Sequence, residues 1–132
     1  MTRICLDTSA YSHFKRGHAP SVESIASAKT VFVPAIVLGE LRTGFRLGRN
    51  AEENERSLAA FVSSPSVEVI DVDDEVASIY AELIVDLRRA GTPLPTNDIW
   101  IAACAIREGA TVLTYDEHFT EIRRAGASIL RA

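Results

Sequence analysis

The sequence predicts an α/β domain in which a parallel sheet is covered by helices on both faces. Short runs of β-branched and aromatic residues alternate along the chain with longer segments of helical periodicity. The short runs lack the strict alternation of apolar and polar residues that marks a sheet with one face in water. Because a crossover helix joins neighbouring parallel strands, this order favours a sheet buried between two layers of helices.

The first quarter of the chain contains two predicted strands. Residues 2–6 form a short buried strand that ends at Asp7, and a helix then runs toward the stop at Gly17. A second helix covers residues 21–28 and starts at a serine. Residues 30–33 are a β-branched and aromatic run and form the second strand.

The middle of the chain is predicted to form a helical hairpin, a strand and a long helix. One helix begins at Ala35 and ends in a turn at Gly48, and Asn50 caps its partner, which runs through residue 60. Residues 67–70 alternate like a strand. An amphipathic helix then extends from the acidic pair at residues 73–74 to a glycine at residue 91.

The last third of the chain repeats the helix and strand order. Thr96 is a suitable N-cap for a helix that runs to Gly109. Residues 111–115 form a strand, and residues 127–130 form the last one. We find no internal repeat, linker or low-complexity tract, so the 132 residues are predicted to form a single domain.

Composition and charge limit the classes of protein to which the chain can belong. Hydrophobic residues make up 47% of the chain and charged residues 24%, which is typical of soluble globular domains. A formal net charge of -4 counts against coating of bulk nucleic acid. Cys5 and Cys104 lie in apolar surroundings and are expected to be free buried thiols. The apolar runs are shorter than the roughly 20 residues of a membrane helix, so we expect a cytoplasmic protein without membrane attachment.

Four carboxylates fall where a parallel sheet places its ligands. Asp7 follows the first strand, Asp116 follows the strand at residues 111–114, Asp98 lies in the first turn of the preceding helix, and Glu40 lies about two turns into the helix after the second strand. Ligands bind beyond the carboxyl ends of parallel strands, near the point where the strand order reverses. We therefore expect these four acids to converge at one edge.

Each acid also has a structural explanation. Asp98, expected at the second helical position, complements the positive end of its helix, and Asp7 and Asp116 can act as N-caps. Glu40 is expected to be pressed against apolar surface, and no His, Cys or Lys stands at a spacing that would partner it. An unpaired buried carboxylate is costly unless it is neutralised or binds a cation. Oxygen ligands without His or Cys suit Mg²⁺ or Mn²⁺ and hence the chemistry of phosphodiesters.

Four segments in order resemble the PIN-domain family of metal-dependent nucleases, in particular VapC-type toxins of bacterial toxin-antitoxin pairs. They are "CLDTS", "PAIVLGELRTG", "TNDIWIAACA" and "VLTYDEHF". The resemblance covers nearly the whole chain and implies one PIN domain over residues 1–132, with a four- or five-stranded parallel sheet between helices. It also implies an endoribonuclease that uses Mg²⁺, for which Mn²⁺ can substitute.

The resemblance assigns roles to individual residues. It implies that Asp7, Glu40 and Asp98 bind the catalytic metal and that Asp116 completes the cluster directly or through water. Thr114 stands where the family places a supporting hydroxyl. Ser9 and Asn97 are neighbouring polar candidates that could equally satisfy a loop or a helix end, and Tyr115 is given no role.

The resemblance also implies partners: a VapB-like antitoxin whose C-terminal segment covers the active site, and a second copy of the chain, with residues 36–60 as the first choice of dimer surface. Arg42, Arg46 and Arg49 recur at helical spacing and form either a ridge for RNA phosphates or an ordinary solvated face. His13, His18 and His118 show no spacing typical of a catalytic triad and are expected at the surface or in caps.

Other readings of the four acids are weaker. A phosphoacceptor receiver domain would need an adjacent acidic pair after the first strand and a late lysine, but Asp7 is followed by Thr8 and Ser9, and no lysine follows Lys29. Haloacid-dehalogenase-like phosphatases need a second Asp where Ser9 stands. A PIN fold that binds RNA or a protein without cutting it remains the alternative to the nuclease.

Overall fold

The computed structural model describes residues 2–131, which form one five-stranded parallel sheet with helices packed against it. The strands are β1 (Arg3–Leu6), β2 (Thr30–Pro34), β3 (Val67–Ile70), β4 (Thr111–Thr114) and β5 (Ala127–Ile129). The helices are α1 (Thr8–Lys15), α2 (Ala19–Ser27), α3 (Ala35–Leu47), α4 (Ala51–Val62), α5 (Asp74–Arg89) and α6 (Thr96–Glu108), and a 3₁₀ helix spans Glu117–Glu121. The predicted α/β class with a parallel sheet is confirmed.

The strand order places β1 at the centre of the sheet. The order is β3-β2-β1-β4-β5, and every neighbouring pair is parallel. From β1 the chain first builds outward through β2 and β3, and then returns to the other side of β1 to add β4 and β5. The direction of winding therefore reverses between β1 and β4, which is where open α/β sheets form their ligand crevice.

The core lies against the three central strands. Val31, Phe32 and Val33 of β2 are at most 1% exposed, and β1 and β4 are also buried after their first residues. Helix α6 buries one continuous apolar surface against them, from Ile99 to Ala105. Small residues in this segment let the helix approach the sheet closely, so α6 is the most deeply buried helix among those described and forms a rigid support for its N-terminal end.

Several predicted element boundaries are wrong by one or two residues. Helix α6 starts at Thr96 with Pro95 in the cap position, so Thr96 is not the N-cap and Asp98 is the third helical residue rather than the second. Helix α2 starts at Ala19, because proline is well suited to the first turn. Asn50 does occupy the cap position of α4, but its side chain makes no capping hydrogen bond.

Two further findings concern the cysteines and the helices. Cys5 and Cys104 are buried free thiols, as predicted, and burial raises the pKa of Cys104 to about 11. These thiols therefore stay protonated and unreactive near neutral pH. Within residues 2–131, every helix is too short or too polar to cross a bilayer.

Candidate functional site

Asp7 is a buried carboxylate at the end of the central strand. It caps α1, and its Oδ1 accepts hydrogen bonds from the Ala10 backbone N–H at 2.9 Å and from the Ser9 hydroxyl at 2.7 Å. Its Oδ2 accepts a hydrogen bond from the Thr114 hydroxyl. The side chain is therefore fixed on both oxygens, and only 5% of the residue is exposed. The structural explanation of Asp7 as the N-cap of α1 is therefore confirmed.

Burial raises the pKa of Asp7 above its usual range, and the three hydrogen bonds and the nearby Asp116 modify that effect. Loss of hydration is the largest cause, since it disfavours the charged form. The hydrogen bonds from Thr114, Ala10 and Ser9 act in the opposite direction. The charge of Asp116 raises the pKa again, which shows that the ends of β1 and β4 bring two carboxylates into electrostatic contact.

Thr114 joins these two strand ends. It is fully buried at the end of β4, where its hydroxyl donates to Asp7 and accepts the backbone N–H of Asp116 at 2.9 Å. One hydroxyl thus fixes the position of one acid and the backbone of the other. The predicted supporting position of Thr114 agrees with this geometry.

One cluster of side chains contains Asp98, Asp116 and His118. One ligand atom from each of these three side chains lies within 4.8 Å of the others. Asp116 caps the 3₁₀ helix by accepting the His118 backbone N–H at 2.9 Å, and the His118 Nδ1 lies 3.2 Å from the same carboxylate oxygen. The 3₁₀ turn therefore places a histidine beside the acids.

Asp98 also has a raised pKa. Its pKa is raised from 3.8 to about 6, mainly by partial burial and then by the charges of Asp116, Asp7 and Glu40. His118 acts weakly in the opposite direction. The other three predicted carboxylates are therefore close enough to Asp98 to affect its acidity.

The environment of Glu40 differs from the one predicted. The residue is partly exposed rather than pressed into apolar surface, and its carboxylate has two partners. The Thr8 hydroxyl donates to Oε1 at 2.6 Å, and the Asn97 amide donates to Oε2 at 3.3 Å. The expectation of an unpaired buried carboxylate was wrong because α3 turns its Val37 and Leu41 face, not its Glu40 face, into the core.

The supporting residues fall into two groups. Ser9 donates to Asp7 and accepts the backbone N–H of Tyr115 at 3.0 Å, so it belongs to the buried side of the site. Asn97 lies at the start of α6 and links Glu40 to the helix end that carries Asp98. Each of the two therefore contacts a candidate metal ligand, Ser9 through Asp7 and Asn97 through Glu40.

The donor set suits a hard divalent cation. Three aspartates lie near the junction of β1 and β4, and burial, together with their mutual repulsion, raises the pKa of Asp7 and of Asp98. A cation bound between them would remove that repulsion, since an opposite charge favours the ionised form. Carboxylate oxygens are preferred by Mg²⁺ and Mn²⁺, and an imidazole at the edge is compatible with Mn²⁺.

The three arginines do not form one ridge. Arg42 pairs with Glu55 of α4 at 2.9 Å, which neutralises it locally. Helix α3 ends at Leu47, so Arg49 lies in the following turn and departs from the helical spacing. Arg46 remains on the exposed surface of α3. The structure therefore separates the predicted RNA-contact set into three different environments.

The sequence did not reveal three residues of this region. Thr8 has no role in the sequence prediction, although its hydroxyl donates to Glu40. His118 is exposed beside the cap residue Asp116, as expected, but its proximity to the acids was not predicted; its position two residues after Asp116 is typical of such a turn. Tyr115 lies between Thr114 and Asp116 and contacts two histidines, which no local pattern indicates.

Comparisons with known proteins agree with this geometry. Residues 4–125 match the PIN domain family. Ribonuclease VapC4 of Mycobacterium tuberculosis is 34% identical over 87 residues, which cover 66% of this chain and 67% of that protein. Ribonuclease VapC2 of Rickettsia felis is 32% identical over 113 residues, or 86% of this chain and 81% of that protein.

The fold is shared with solved toxin-antitoxin complexes. A chain in the crystal structure of VapBC2 from Rickettsia felis, bound to a DNA fragment from their promoter, superposes with a TM-score of 0.84. That chain is 27% identical in sequence, and the match covers 98% of this chain and 100% of the other. The two chains therefore share one fold over nearly the whole of the matched length.

Proposed function

Because this chain belongs to the PIN-domain family and is a homologue of VapC ribonucleases, we propose that it is a metal-dependent endoribonuclease and the toxin of a toxin-antitoxin pair. One observation carries this proposal: Asp7, Asp98 and Asp116 come from three separate elements and lie near one another at the edge of the sheet where the strand order reverses. A structural cap needs no second or third carboxylate beside it.

Asp7, Glu40, Asp98 and Asp116 would hold Mg²⁺, or Mn²⁺ in its place. When bound, such an ion activates water and neutralises charge on the phosphodiester. The protein supplies rigidity: Thr114 and Ser9 fix the Asp7 carboxylate, and the buried α6 fixes the direction of Asp98. Preorganised ligands of this kind avoid reorganisation during the reaction.

A cleavage assay tests the proposal. Purified protein is incubated with structured RNA and Mg²⁺ or Mn²⁺, with and without chelator, beside Asp98→Asn and the control Asp71→Asn, which changes an exposed acid outside the site. We expect cleavage by the wild type and by Asp71→Asn, and its loss with chelator or Asp98→Asn. Cleavage that survives both would exclude metal chemistry at this site. Tight RNA binding without cleavage would instead support the non-cutting PIN module.

Arg46 is the strongest of the three arginine candidates for contact with RNA phosphates. It is exposed on the helix that carries Glu40, whereas Arg42 is already paired with Glu55. A phosphate contact contributes a sequence-independent, salt-sensitive part of binding. We expect Arg46→Ala to raise KM about 3- to 10-fold with kcat unchanged, and Arg42→Ala to have a smaller effect. Equal effects of both variants would contradict this ranking.

A VapB-like antitoxin is the proposed protein partner. A basic side chain from such a partner would complement the excess negative charge of the acidic site, where Asp116, Asp7 and Glu40 repel Asp98. The proposal predicts that a short protein encoded beside this chain binds it and inhibits cleavage. Charge reversal of the basic residues in the partner's C-terminal segment should weaken inhibition without preventing its own folding.

A homodimer is proposed as well, with the α3–α4 hairpin as its surface. Leu47 ends α3 and is 85% exposed, far more than the other exposed large hydrophobic residues among those described. Burial of a leucine at an interface is favourable by about 1.5–3 kcal/mol. We expect Leu47→Glu to shift the protein toward the monomer in light scattering after size exclusion. An unchanged mass would place the interface elsewhere.

A further inference from the structure

Tyr115 lies between Thr114 and Asp116 of the acidic site, and its ring packs against the end of α1 and the turn that joins α1 to α2. Its ring stacks on His13 of α1, with centroids 3.8 Å apart and planes 16° from parallel. His18 packs at an angle against the same ring, at 5.3 Å. A tyrosine on the loop after β4 is thereby held against α1 and the residue that precedes α2.

The hydroxyl of Tyr115 adds two polar contacts at the start of α2. It hydrogen bonds with Nδ1 of His18, which occupies the cap position of that helix, and with the hydroxyl of Ser21 at 2.8 Å. Ser21 is fully buried. A buried hydroxyl without a partner is costly, so the pair Ser21 and Tyr115 satisfies both residues only when the tyrosine is in this position.

The backbone of Tyr115 is tied to the first acid. Its N–H donates to the Ser9 hydroxyl at 3.0 Å, and that hydroxyl donates to Asp7 at 2.7 Å. The Nδ1–H of His13 in turn donates to the carbonyl oxygen of Ser9 at 2.9 Å. The tyrosine ring and the tyrosine backbone therefore meet the same short segment, from Ser9 to His13, at two points.

We propose that Tyr115 is a positioning residue, whose anchored ring and hydroxyl fix the peptide between Thr114 and Asp116 so that Asp116 faces Asp7 and Asp98 with high affinity for the cation. This inference rests on the proposed metal-dependent function. Tyr115 contacts neither substrate nor metal in this role and acts through the two residues beside it.

The physical reason lies in the loop geometry. Thr114 ends β4, and the next regular element starts only at Glu117, so the backbone between them is held by the hydroxyls of Ser9 and Thr114 rather than by sheet hydrogen bonds. The Asp116 side chain caps the following 3₁₀ helix. Because that contact lies within the turn itself, it would not stop the turn from moving as one unit. Contacts around Tyr115 connect this turn to α1 and α2. Residues that orient metal ligands commonly change metal affinity by about 10- to 100-fold when mutated.

The test measures Mn²⁺ binding by calorimetry with RNA-free protein, for the wild type, Tyr115→Phe and Ser21→Ala. Tyr115→Phe keeps the ring on His13 and removes only the hydroxyl contacts. Tyr80→Phe is the matched control, since Tyr80 stacks on Trp100 at 3.7 Å on the α5–α6 surface. We expect Tyr115→Phe to weaken Mn²⁺ binding about tenfold. Ser21→Ala should weaken it less, and Tyr80→Phe should leave it unchanged.

A purely structural role of Tyr115 predicts a different result. It would lower the melting temperature of metal-free Tyr115→Phe while the Mn²⁺ affinity of the folded protein stays at the wild-type value, and that outcome overturns the inference. Positioning predicts in addition that excess Mn²⁺ restores the cleavage rate of Tyr115→Phe. If the wild type itself binds no divalent cation, the proposed function fails, which is distinguishable from wild-type binding that Tyr115→Phe leaves intact.

Discussion

Asp98→Asn should stabilise the metal-free protein near neutral pH. The pKa of Asp98 is raised from 3.8 to about 6 in the folded chain, chiefly by burial and then by Asp116, Asp7 and Glu40. An acid whose pKa is higher in the folded state stabilises the fold below its unfolded pKa and loses that contribution as pH rises through the folded value. The ionised Asp98 therefore opposes folding above about pH 6, and asparagine removes this effect while keeping the shape.

The expected gain is small but measurable. A shift of about two pKa units corresponds to at most about 3 kcal/mol, and solvent screening of a half-buried side chain reduces this to roughly 1–2 kcal/mol. The lost interaction between the charge and the N-terminus of α6 subtracts about 0.3–1 kcal/mol. We expect a net increase in the free energy of unfolding of about 1 kcal/mol at about pH 7.5, within a range of roughly 0–1.7 kcal/mol.

Urea denaturation in the presence of chelator measures this difference. Wild type, Asp98→Asn and the exposed control Asp71→Asn are compared at about pH 7.5 and about pH 4, where the gain of Asp98→Asn should vanish because the wild-type side chain is largely protonated. A lower stability of Asp98→Asn near neutral pH would refute the argument and favour a purely capping role. An equal gain at both pH values would also refute it, since charge repulsion requires the pH dependence.

Three further predictions concern the buried side of the site, a helix end and the dependence on metal. Thr114→Val removes the donor to Asp7 and the acceptor of the Asp116 N–H, so we expect a loss of about 1–3 kcal/mol in urea denaturation; an unchanged midpoint would show that the network contributes nothing. Gly109 ends α6 with a φ of 61°, and an added Cβ would meet nothing within 4 Å, so Gly109→Ala should cost about 1 kcal/mol through backbone strain alone. Gly39→Ala, in the regular part of α3, is the control and should be neutral or stabilising. Addition of Mn²⁺ should raise the melting temperature of the wild type but not of Asp98→Asn, and equal shifts in both would place cation binding outside the acidic site.

The sequence predicted the sheet well because its signals are local. A buried parallel strand reads as a short apolar run, and β1, β2 and β4 are such runs with few exceptions. The convergence of Asp7 and Asp116 follows from topology, since the carboxyl ends of parallel strands share one edge. Pairing between β1 and β4 confirms their adjacency. The sequence could therefore place these two acids together without knowing any side-chain contact.

The environment of Glu40 and the contacts of Tyr115 could not be predicted in the same way. Glu40 meets Thr8 and Asn97, which lie 32 and 57 residues away along the chain. Tyr115 meets His18 across 97 residues. Contacts of this kind depend on how helices rotate and pack above the sheet, which periodicity leaves undetermined. The helical spacing predicted for Arg49 was wrong for a simpler reason: α3 ends at Leu47, before Arg49 is reached.

The most direct test of the acidic site as a metal centre is anomalous diffraction from crystals of the protein grown with Mn²⁺. We expect an anomalous peak bounded by the carboxylates of Asp7, Asp98 and Asp116, and no peak at that position in crystals of Asp98→Asn grown under the same conditions. A Mn²⁺ ion bound elsewhere in a protein that cleaves RNA, with these three carboxylates free of metal, would contradict the proposed metal centre.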